Sequence, residues 1–344
     1  FIGCYLTALL GLVWAWGGMA LAWVTAWPLR YILAVAKVLS KLPGAVLFTG
    51  NRMVVWWLML VYAMFGAAWL ISRRRKVRYW IPAACSVLAL CAVLTVNAVQ
   101  LQRTSTVTAL DVSQGQSIVF SSGRACAVVD CGGRSTAEDP GDLAARKLLA
   151  QGHRSLDLLV LTHPHDDHVN GVLRLMHWLP VRALVIPAAA DTTQAPLSDI
   201  LALAEANHTA VVRVDAERTV TAGGISVHLY PEPCAGQEDG SMIVLTSIGT
   251  YDTLVPGDVD TTAEVKFLSS YNYPGIELLL VGHHGSKRST SDAWLDAIAP
   301  DAAIISVGYN SYGHPTSETL ERLQAHNIPI YRTDQMGDIT VHLS

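Results

Sequence analysis

Charge is distributed very unevenly along the chain, and this feature limits the possible folds most strongly. Residues 1–102 contain nine Lys and Arg residues and no Asp or Glu, whereas residues 103–344 contain all 28 acidic residues. The first part includes three uncharged apolar runs, at 1–24, 53–71 and 80–100. Each run predicts a helix that can cross a hydrocarbon core of about 30 Å, at a rise of about 1.5 Å per residue. A single water-soluble domain is therefore excluded, as is a nucleic-acid-binding protein that depends on a strongly basic fold.

Two basic segments bear on how the chain meets the membrane. Residues 29–42 place three basic side chains opposite Leu, Ile and Val, which predicts an amphipathic helix in the interface, with an ordinary connecting helix as the alternative. The loop RRRKVR at 73–78 is expected in the cytoplasm, because positive charge stays on that side. The region after Gln100 would then face the extracytoplasmic side of the cytoplasmic (inner) membrane. The chain does not begin with Met, and we expect it to be part of a larger multi-pass protein.

From residue 105 onward, short β-rich runs alternate with helical patterns, and this predicts a separate globular domain at 105–344. Early strand candidates come in hairpins and later ones alternate with helices, which predicts a layered α/β fold with mixed sheets. Strands are predicted at 107–112, 116–120, 125–130, 156–161, 183–187, 225–230, 242–247, 252–256, 276–281, 302–307 and 338–343. Helices are predicted at 141–151, 169–179, 197–207, 260–270, 291–298 and 316–326.

The segment LVLTHPHDDHVNG, at 159–171, carries the most chemical information. Four potential metal ligands follow a predicted strand within six residues: His163, His165, Asp167 and His168. The first two alternate on extended chain and can face one ion, whereas the last two begin a turn and can address a second ion. Imidazole and carboxylate ligands together suit Zn²⁺, Mn²⁺ or Fe. A polar surface loop is the alternative interpretation.

Further segments accompany this motif in a fixed order along the chain. They are ALDVSQGQSIVF (109–120), VVDCGG (128–133), LVPGDVD (254–260), LLVGHHGSKRSTS (279–291) and SVGYNSYGHP (306–315). Together they resemble the metallo-β-lactamase superfamily and, following hydrophobic spans, the C-terminal region of ComEC-type competence proteins, which move DNA across the cytoplasmic membrane. The resemblance covers 105–344, and over 1–102 it rests on hydropathy and context. It implies an α/β fold, a metallo-β-lactamase-like αββα sandwich preceded by transmembrane helices.

The resemblance also implies a site for two divalent metal ions, zinc or manganese. The expected ligands are His163, His165, Asp167, His168, Asp258 and His284. The first two would hold one ion and the next two the other, with Asp258 between them. One His of HHGS would complete the second site: His284 is favoured as the ligand and His283 as a phosphate contact or general acid, and the reverse assignment stays open. Adjacent residues that leave a strand point to opposite sides, so the two are not expected to serve the same ion, and a purely structural role for one of them is the alternative. Two such ions activate a water and offset the charge of a phosphodiester, which suits hydrolysis.

Other residues are candidates for catalysis and substrate contact. Asp167, His283 and His314 are the expected catalytic residues, although His314 in YGHP is equally consistent with a loop residue that caps the next helix. Ser241 matches a family position near the metal cleft, and a plain residue at a strand start is the alternative. Lys287 and Arg288 are expected to hold nucleic acid locally, together with Arg332. Exposed basic residues are more often solvated surface.

Departures from the family pattern bear on activity. The pattern has Gly and Asp where this chain has Ser113 and Gln116, which predicts weaker or absent activity if that Asp supports the metal or the substrate. Cys131 replaces the usual Thr and would be a soft thiol nearby. The superfamily's additional His has no clear equivalent, and His208 is a candidate stand-in. Asp111 is expected either to orient a ligand His or to cap a turn.

Three functions are consistent with the sequence. The first is a DNA-uptake protein for natural transformation, whose outward-facing hydrolase domain cuts the strand that is not imported. Its expected partners are single- or double-stranded DNA, membrane lipid, and other competence or pilus DNA-uptake proteins. The second is a different metallo-hydrolase, such as a phosphocholine esterase or a β-lactamase-like amidase. The third is a non-catalytic domain that binds DNA at the channel mouth.

Overall fold

The computed structural model describes residues 2–39, 52–134, 138–231, 241–271, 273 and 275–343. The chain divides into two compact units, residues 1–48 and residues 49–344. The first unit contains two apolar helices. The second contains two further apolar helices and the whole of the β-rich domain.

The first unit is a pair of helices, α1 (Ile2–Val13) and α2 (Ala15–Leu39). They pack antiparallel: a Cβ added to Gly18 would lie 2.5 Å from the Cα of Gly11, so small residues allow this close approach. The apolar run at 1–24 was expected to be one helix, and the structure instead divides it at Trp14. The interfacial helix expected at 29–42 is not separate either, because 29–39 continues α2 and 40–42 lie outside the described residues. An uncharged run indicates that a segment is long enough to cross an apolar medium. It does not indicate where the chain reverses its direction between two closely packed helices.

The second unit begins with α3 (Arg52–Ser72) and α4 (Trp80–Arg103). These two helices contact one another, and the indole Nε1 of Trp57 donates a hydrogen bond to the carbonyl of Ser86 at 2.8 Å. Among the described residues, three helical stretches are long and apolar enough to cross a membrane: Ala15–Leu39, Met53–Ser72 and Trp80–Gln100.

The β-rich domain contains two seven-stranded sheets. The strands are β1 (Ser105–Ala109), β2 (Ile118–Ser122), β3 (Ala125–Val129), β4 (Leu156–Val160), β5 (Val181–Pro187), β6 (Ala210–Val214), β7 (Arg218–Ala222), β8 (Ile225–Pro231), β9 (Met242–Ile248), β10 (Tyr251–Val255), β11 (Leu278–Leu280), β12 (Ala302–Ile305), β13 (Ile330–Arg332) and β14 (Ile339–Leu343). The first sheet has the order β14-β1-β2-β3-β4-β5-β6 and the second β13-β12-β11-β10-β9-β8-β7.

Both sheets are mixed in the same way. In the first, β14, β1, β2 and β3 pair antiparallel and β3, β4, β5 and β6 pair parallel. In the second, β7 to β10 pair antiparallel and β10 to β13 pair parallel. Apart from β1 and β14, which come from opposite ends of the domain, antiparallel neighbours are consecutive in the sequence, whereas the parallel strands need helical crossovers. This arrangement confirms the predicted mixed sheets.

Among the described residues of the domain, eight α-helices cover the outer faces of the sheets or connect their strands. They are α5 (Pro140–Ala150), α6 (Asp166–Val169), α7 (Val172–Trp178), α8 (Leu197–Ala206), α9 (Thr261–Ser270), α10 (Asp292–Ile298), α11 (Ser317–Ala325) and α12 (Thr333–Met336). The side chains of Asp139, Asp260, Ser291 and Thr316 accept backbone N–H groups at four helix starts. Such caps satisfy donors that the helix itself leaves unpaired.

Three buried apolar clusters hold these layers together. One lies between the first sheet and α5, α7 and α8, one between the two sheets, and one between the second sheet and α9, α10 and α11. The layers therefore follow the order helix, sheet, sheet, helix, which confirms the predicted αββα sandwich. The loops after β1, β3, β4, β10, β11 and β12 meet at one edge of this sandwich, where the polar motifs are found.

Candidate metal centre

The His-rich motif lies in the turn between β4 and α6. His163 is buried immediately after the strand, and His168 is buried within α6. The turn packs tightly on the CGG segment after β3: a Cβ added to Gly132 would lie 2.4 Å from the backbone N of His168. Any other side chain at Gly132 would displace the turn, so this glycine is required for the close approach. Backbone bonds also tie the turn down, because the N of Cys131 donates to the carbonyl of His168 at 2.7 Å.

Asp258 lies in the loop after β10 and faces the imidazoles from the second sheet. Its Oδ2 is 3.6 Å from the Nε2 of His163, and its Oδ1 is 3.3 Å from the Nε2 of His168. Ligands bound to one tetrahedral ion at 2.0–2.2 Å are about 3.4 Å apart, so both spacings suit shared coordination. Each carboxylate oxygen therefore addresses a different imidazole, which is the arrangement expected of a bridging ligand.

The ligand atoms form two groups, within each of which they lie less than 4.8 Å apart. The first group contains His163, His165 and Asp258, and the second contains Asp167, His168 and His284. In the second group, the Nε2 of His284 is 3.6 Å from the Oδ2 of Asp167 and 3.9 Å from the Oδ1 of Asp258. The structure thus brings together all six residues that the sequence suggests as ligands.

The unpaired atoms of these groups point to divalent ions. Within the two ligand groups, four buried atoms have no hydrogen-bond partner among the described residues: the Nε2 atoms of His163, His168 and His284, and the Oδ1 of Asp258. A buried polar atom without a partner costs about 1–3 kcal/mol, so four together would be unfavourable without a ligand. Imidazole nitrogens and carboxylate oxygens are the donors that zinc and manganese accept. The residues present therefore fit divalent metal ions.

Electrostatics prepare the same atoms for a cation. Burial opposes ionisation of Asp258, but the neighbouring imidazoles, led by His168, outweigh it and hold the pKa of Asp258 well below its usual range. Burial lowers the pKa of His163, and the nearby His168 acts in the same direction. His163 is therefore neutral, with a lone pair available, at a pH where an exposed His would be partly charged.

Asp130, at the end of β3, orients the ligand imidazoles from behind. Its Oδ2 accepts hydrogen bonds from the Nδ1 of His168, the Oγ1 of Thr162 and the Nε2 of Gln116, each at 2.7 Å. Thr162 Oγ1 lies 3.0 Å from the Nδ1 of His163, so the threonine relays the same orientation to that ring. Both imidazoles therefore donate a hydrogen bond through Nδ1 and present Nε2 to the cavity. Such partners fix the tautomer and position of a metal-binding His.

Burial disfavours the charged His168 ring, but the carboxylates of Asp258 and Asp130 outweigh it and raise the pKa of His168 well above its usual value. The sequence did not identify Asp130, although it is the acidic residue of VVDCGG, at a predicted strand end beside the site. The position of Asp130 at a predicted strand end was the signal in the sequence that could have identified it.

Two departures from the family pattern are explained by these contacts. The amide of Gln116 donates a hydrogen bond to Asp130 and not to any of the four unpaired ligand atoms. Gln116 therefore supports the ligands indirectly, through Asp130. Cys131 was expected to be a soft thiol near the site. It is instead buried in the apolar cluster beneath α5 and α7, where burial raises the pKa of its thiol. Its side chain is part of the core.

The two adjacent His residues after β11 face the same cavity. His283 and His284 both adopt left-handed backbone conformations, with φ values of 51° and 55°, within the 3₁₀ turn Gly282–Gly285. Neighbouring side chains point to opposite sides only where the backbone is extended. In this turn the backbone is not extended, so the expected alternation of His283 and His284 is lost. His284 lies in the second ligand group, whereas the Nε2 of His283 is 3.6 Å from the Oδ2 of Asp258, on the side of the first group.

The remaining substrate candidates divide into two sets. His283, His284 and His314 line a cavity of about 490 Å³ with Asp167 and Asp258. Lys287 and Arg288 line an adjoining cavity of about 500 Å³, which shares His283 and His314 with the first. Ser241 directly precedes Met242, whose backbone N donates to the carbonyl of Thr162, so its backbone lies beside the motif.

Three further residues named from the sequence do not belong to either ligand group. Arg332 forms an ion pair with Asp334 at 2.6 Å and lines neither cavity, because β13 is the edge strand of its sheet. His208 is exposed in the turn between α8 and β6, so it does not replace the additional His. Asp111 accepts the backbone N of Ser113 at 3.2 Å, which is the turn-capping alternative.

Comparison with known proteins shows the family to which the domain belongs. The family model described as the metallo-beta-lactamase superfamily matches residues 110–309. The chain belongs to the metallo-beta-lactamase superfamily. A solved structure of similar fold is the metallo-beta-lactamase fold protein YhfI from Bacillus subtilis, which is 13% identical, with a TM-score of 0.47, over 70% of this chain and 100% of that one.

Two curated relatives are similar to this chain over about two thirds of its length. ComE operon protein 3 of Bacillus subtilis is 28% identical over 249 residues, which are 67% of this chain and 32% of that protein. Competence protein ComA of Neisseria gonorrhoeae is 30% identical over 238 residues, which are 67% of this chain and 31% of that protein. The chain thus spans about a third of the length of these relatives. They confirm the predicted relationship to ComEC-type proteins and, with the three apolar helices, indicate membrane association.

Proposed function

We propose that this chain is part of a membrane DNA-uptake protein and that its superfamily domain hydrolyses phosphodiester bonds of DNA. One observation carries the proposal: two groups of imidazole and carboxylate atoms meet at Asp258, whose Oδ2 faces His163 and whose Oδ1 faces His168, and they open into a cavity of about 490 Å³. The similarity to ComE operon protein 3 and to competence protein ComA supports DNA as the substrate. The chemistry of the donor set supports hydrolysis.

The roles of the residues follow from their positions. His163, His165 and Asp258 would hold a first divalent ion. Asp167, His168 and His284, together with the second carboxylate oxygen of Asp258, would hold another, with zinc and manganese as the candidates. When bound, such ions supply an activated water and offset the negative charge of the phosphodiester. Asp130 and Thr162 keep the two buried imidazoles in the tautomer that exposes Nε2. The chain thereby sets the ligand geometry before any ion arrives.

His283 and His314 are assigned to the scissile phosphate and leaving group. Their rings are 5.7 Å apart and both line the cavity. Burial lowers the pKa of both imidazoles, so they are neutral near pH 7 and donate hydrogen bonds through a ring N–H. Ser241, Lys287 and Arg288 are assigned to the strand on either side, where cationic side chains bind phosphates without sequence preference.

The contacts of Gln116 favour a catalytic domain over one that only binds DNA. The concern raised by the sequence was that the family Asp at this position serves the metal or the substrate. Gln116 instead donates to Asp130 and leaves the six ligand residues of both groups in place. A neutral donor there also avoids a second carboxylate next to Asp130, which would compete for the same hydrogen-bond donors.

The membrane arrangement follows from the loop between α3 and α4. Arg73, Arg74, Arg75 and Lys76 concentrate positive charge there, which favours the cytoplasmic side. The chain then crosses the membrane along α4, and the domain lies on the extracytoplasmic side. A cysteine introduced in place of the exposed Glu217 should react with a membrane-impermeant thiol reagent in intact cells. Protection of that cysteine until the cells are lysed would reverse this topology.

Hydrolysis is tested on the full chain in detergent with single-stranded and duplex DNA. We expect cleavage that a chelator abolishes and that added Mn²⁺ or Zn²⁺ restores. Asp258→Ala should lose it, whereas Asp199→Ala, which removes an exposed carboxylate from α8, should retain it. Binding of DNA without cleavage would indicate the non-catalytic alternative. Cleavage of small choline phosphodiesters, but not of DNA, would indicate the phosphocholine esterase alternative.

A further inference from the structure

The loop after β12 presents tyrosine side chains beside the candidate centre. Asn310 fixes this loop with four hydrogen bonds: its Nδ2 donates to the carbonyls of Gly308 and His314, and its Oδ1 accepts the backbone N of Tyr312 and His314. The distances are 2.8–3.1 Å. Tyr309 is 97% exposed and Tyr312 is 58% exposed. The loop therefore holds two aromatic rings in water on a braced backbone.

Such exposure is unusual in this domain. Among its described residues, the exposed large apolar or aromatic side chains are Trp178, Val211, Val265, Tyr309, Tyr312, Tyr331 and Met336. Tyr309 is the most exposed of these, and its neighbour Tyr312 comes from the same loop. A single exposed aromatic residue needs no explanation, but two exposed tyrosines on one braced loop, of which Tyr312 lines both cavities, indicate a binding surface.

Aromatic rings lead from the ligand groups towards this loop. The ring of His283, beside Asp258, is 5.7 Å from that of His314, which is 5.8 Å from that of Tyr312. The hydroxyl of Tyr312 lies 3.4 Å from a guanidinium nitrogen of Arg134. The rings of His283, His314 and Tyr312 and the guanidinium of Arg134 thus form a continuous path of aromatic faces and hydrogen-bond donors. This path begins at Asp258, in the candidate metal centre.

The adjoining cavities differ in charge and give this path a direction. The cavity on the side of Tyr312 carries Lys287 and Arg288, with Glu318 at its wall. A third cavity, of about 510 Å³, adjoins the central one at His165 on the other side, and its charged residue is Asp191. A polyanion is attracted towards the cavity that contains Lys287 and Arg288 and repelled by the cavity that contains Asp191. The strand is therefore expected to run past Tyr312.

We propose that Tyr309 and Tyr312 form a stacking platform for unpaired bases of single-stranded DNA, whose phosphates follow Lys287 and Arg288. Every base has a π-face, so such stacking binds a strand without regard to sequence. Bases of a duplex are already stacked on one another and cannot use the platform. The proposal rests on the proposed function and deepens it, because it names the unpaired strand as the form of DNA that the site receives.

The platform is tested by fluorescence anisotropy on the full, metal-loaded chain in detergent. The probe is a thymidine 12-mer with phosphorothioate linkages, which resist hydrolysis, and a matched abasic strand reports on the phosphates alone. We expect Tyr309→Ala and Tyr312→Ala each to raise the Kd for the 12-mer at least about fivefold and to leave the Kd for the abasic strand unchanged. Tyr309→Phe should bind like wild type, because stacking does not need the hydroxyl.

The controls separate stacking from charge and from general damage. Tyr331→Ala removes an exposed tyrosine from β13, outside the two cavities, and should not change either Kd. Lys287→Ala should weaken both strands equally and reduce the salt slope of log K by about 0.7, whereas Arg218→Ala, on the opposite edge strand, should not. An unchanged Kd for the 12-mer in both tyrosine variants, or an equal loss for the abasic strand, would overturn the proposal. Because the probe is not cleaved, failure here is distinct from failure of the hydrolase assignment.

Discussion

Asp130→Asn removes the charge behind the candidate metal centre while keeping the shape of the side chain. Asp130 is fully buried and accepts four hydrogen bonds, one at Oδ1 from the backbone N of Thr162 and three at Oδ2. Asparagine offers one acceptor oxygen and one NH₂ group. If its oxygen replaces Oδ2, the NH₂ meets only the N–H of Thr162. If its oxygen replaces Oδ1, three donors lose their acceptor. The first orientation should therefore be preferred.

The magnitude follows from this mismatch, because the N–H of Thr162 and the new NH₂ group both lack an acceptor. Each buried donor without an acceptor costs about 1–3 kcal/mol, so the two together cost about 2–6 kcal/mol. For a domain of this size, each 1 kcal/mol corresponds to a shift of about 2–4 °C in Tm, so we expect the metal-free variant to melt about 4–24 °C below wild type. Loss of the charge also weakens the hold on the Nδ1–H of His168. Changes of this kind cost about 10- to 100-fold in metal affinity.

Tm by differential scanning fluorimetry and metal affinity by competition with a chromogenic chelator would test both expectations. Asp157→Asn is the matched control, because Asp157 accepts the backbone N of Cys126 and pairs with Arg182, away from the ligand groups. This variant should lose stability and keep its metal affinity. Equal metal affinity in Asp130→Asn and wild type would refute the role of Asp130 in holding the imidazoles.

Three further outcomes follow from the same contacts. Gln116→Glu would place two carboxylates together and raise a carboxyl pKa in the folded state. The Tm of this variant should therefore fall below that of wild type at pH 8, and the difference should shrink as the pH is lowered to 5. A difference in Tm that stays constant with pH would contradict this expectation. Metal loading at pH 7.5 should release a proton from His168, because its pKa is raised in the metal-free protein. Calorimetry in buffers of different ionisation enthalpy should show that Asp130→Asn releases fewer protons than wild type when metal binds. Glu264 is buried and accepts the backbone N of Thr290 and both the N and Oγ of Ser291, so Glu264→Gln should destabilise the domain by about 1–3 kcal/mol in denaturant unfolding; no change would show that these bonds do not brace the loop.

Much of the fold was accessible from the sequence because buried strands leave a clear apolar signal. The predicted strands at 125–130, 156–161 and 242–247 coincide with β3, β4 and β9 to within a residue or so. Three strands were not predicted: β6, β7 and β13, the last of which spans only Ile330–Arg332. All three are edge strands with exposed side chains, so they lack the apolar run that marks a buried strand.

The candidate site was accessible only in part, because spacing identifies ligands but not their supports. The HxHxDH spacing led directly to His163, His165, Asp167 and His168. The orientation of His283 depended on a left-handed backbone, which no local pattern indicates. Asp130 acts through hydrogen bonds to residues 14 and 32 positions away in the chain, and such contacts exist only once the sheet is assembled.

The central claim is that Asp258 is shared by two divalent ions, and metal content tests it most directly. The full chain, purified with Mn²⁺ or Zn²⁺ and freed of loosely bound metal, should contain about two ions per molecule by plasma mass spectrometry. Asp258→Ala should contain fewer than one ion and should keep the circular dichroism spectrum of wild type. Equal metal content in the two proteins, or no bound metal in wild type, would contradict the account.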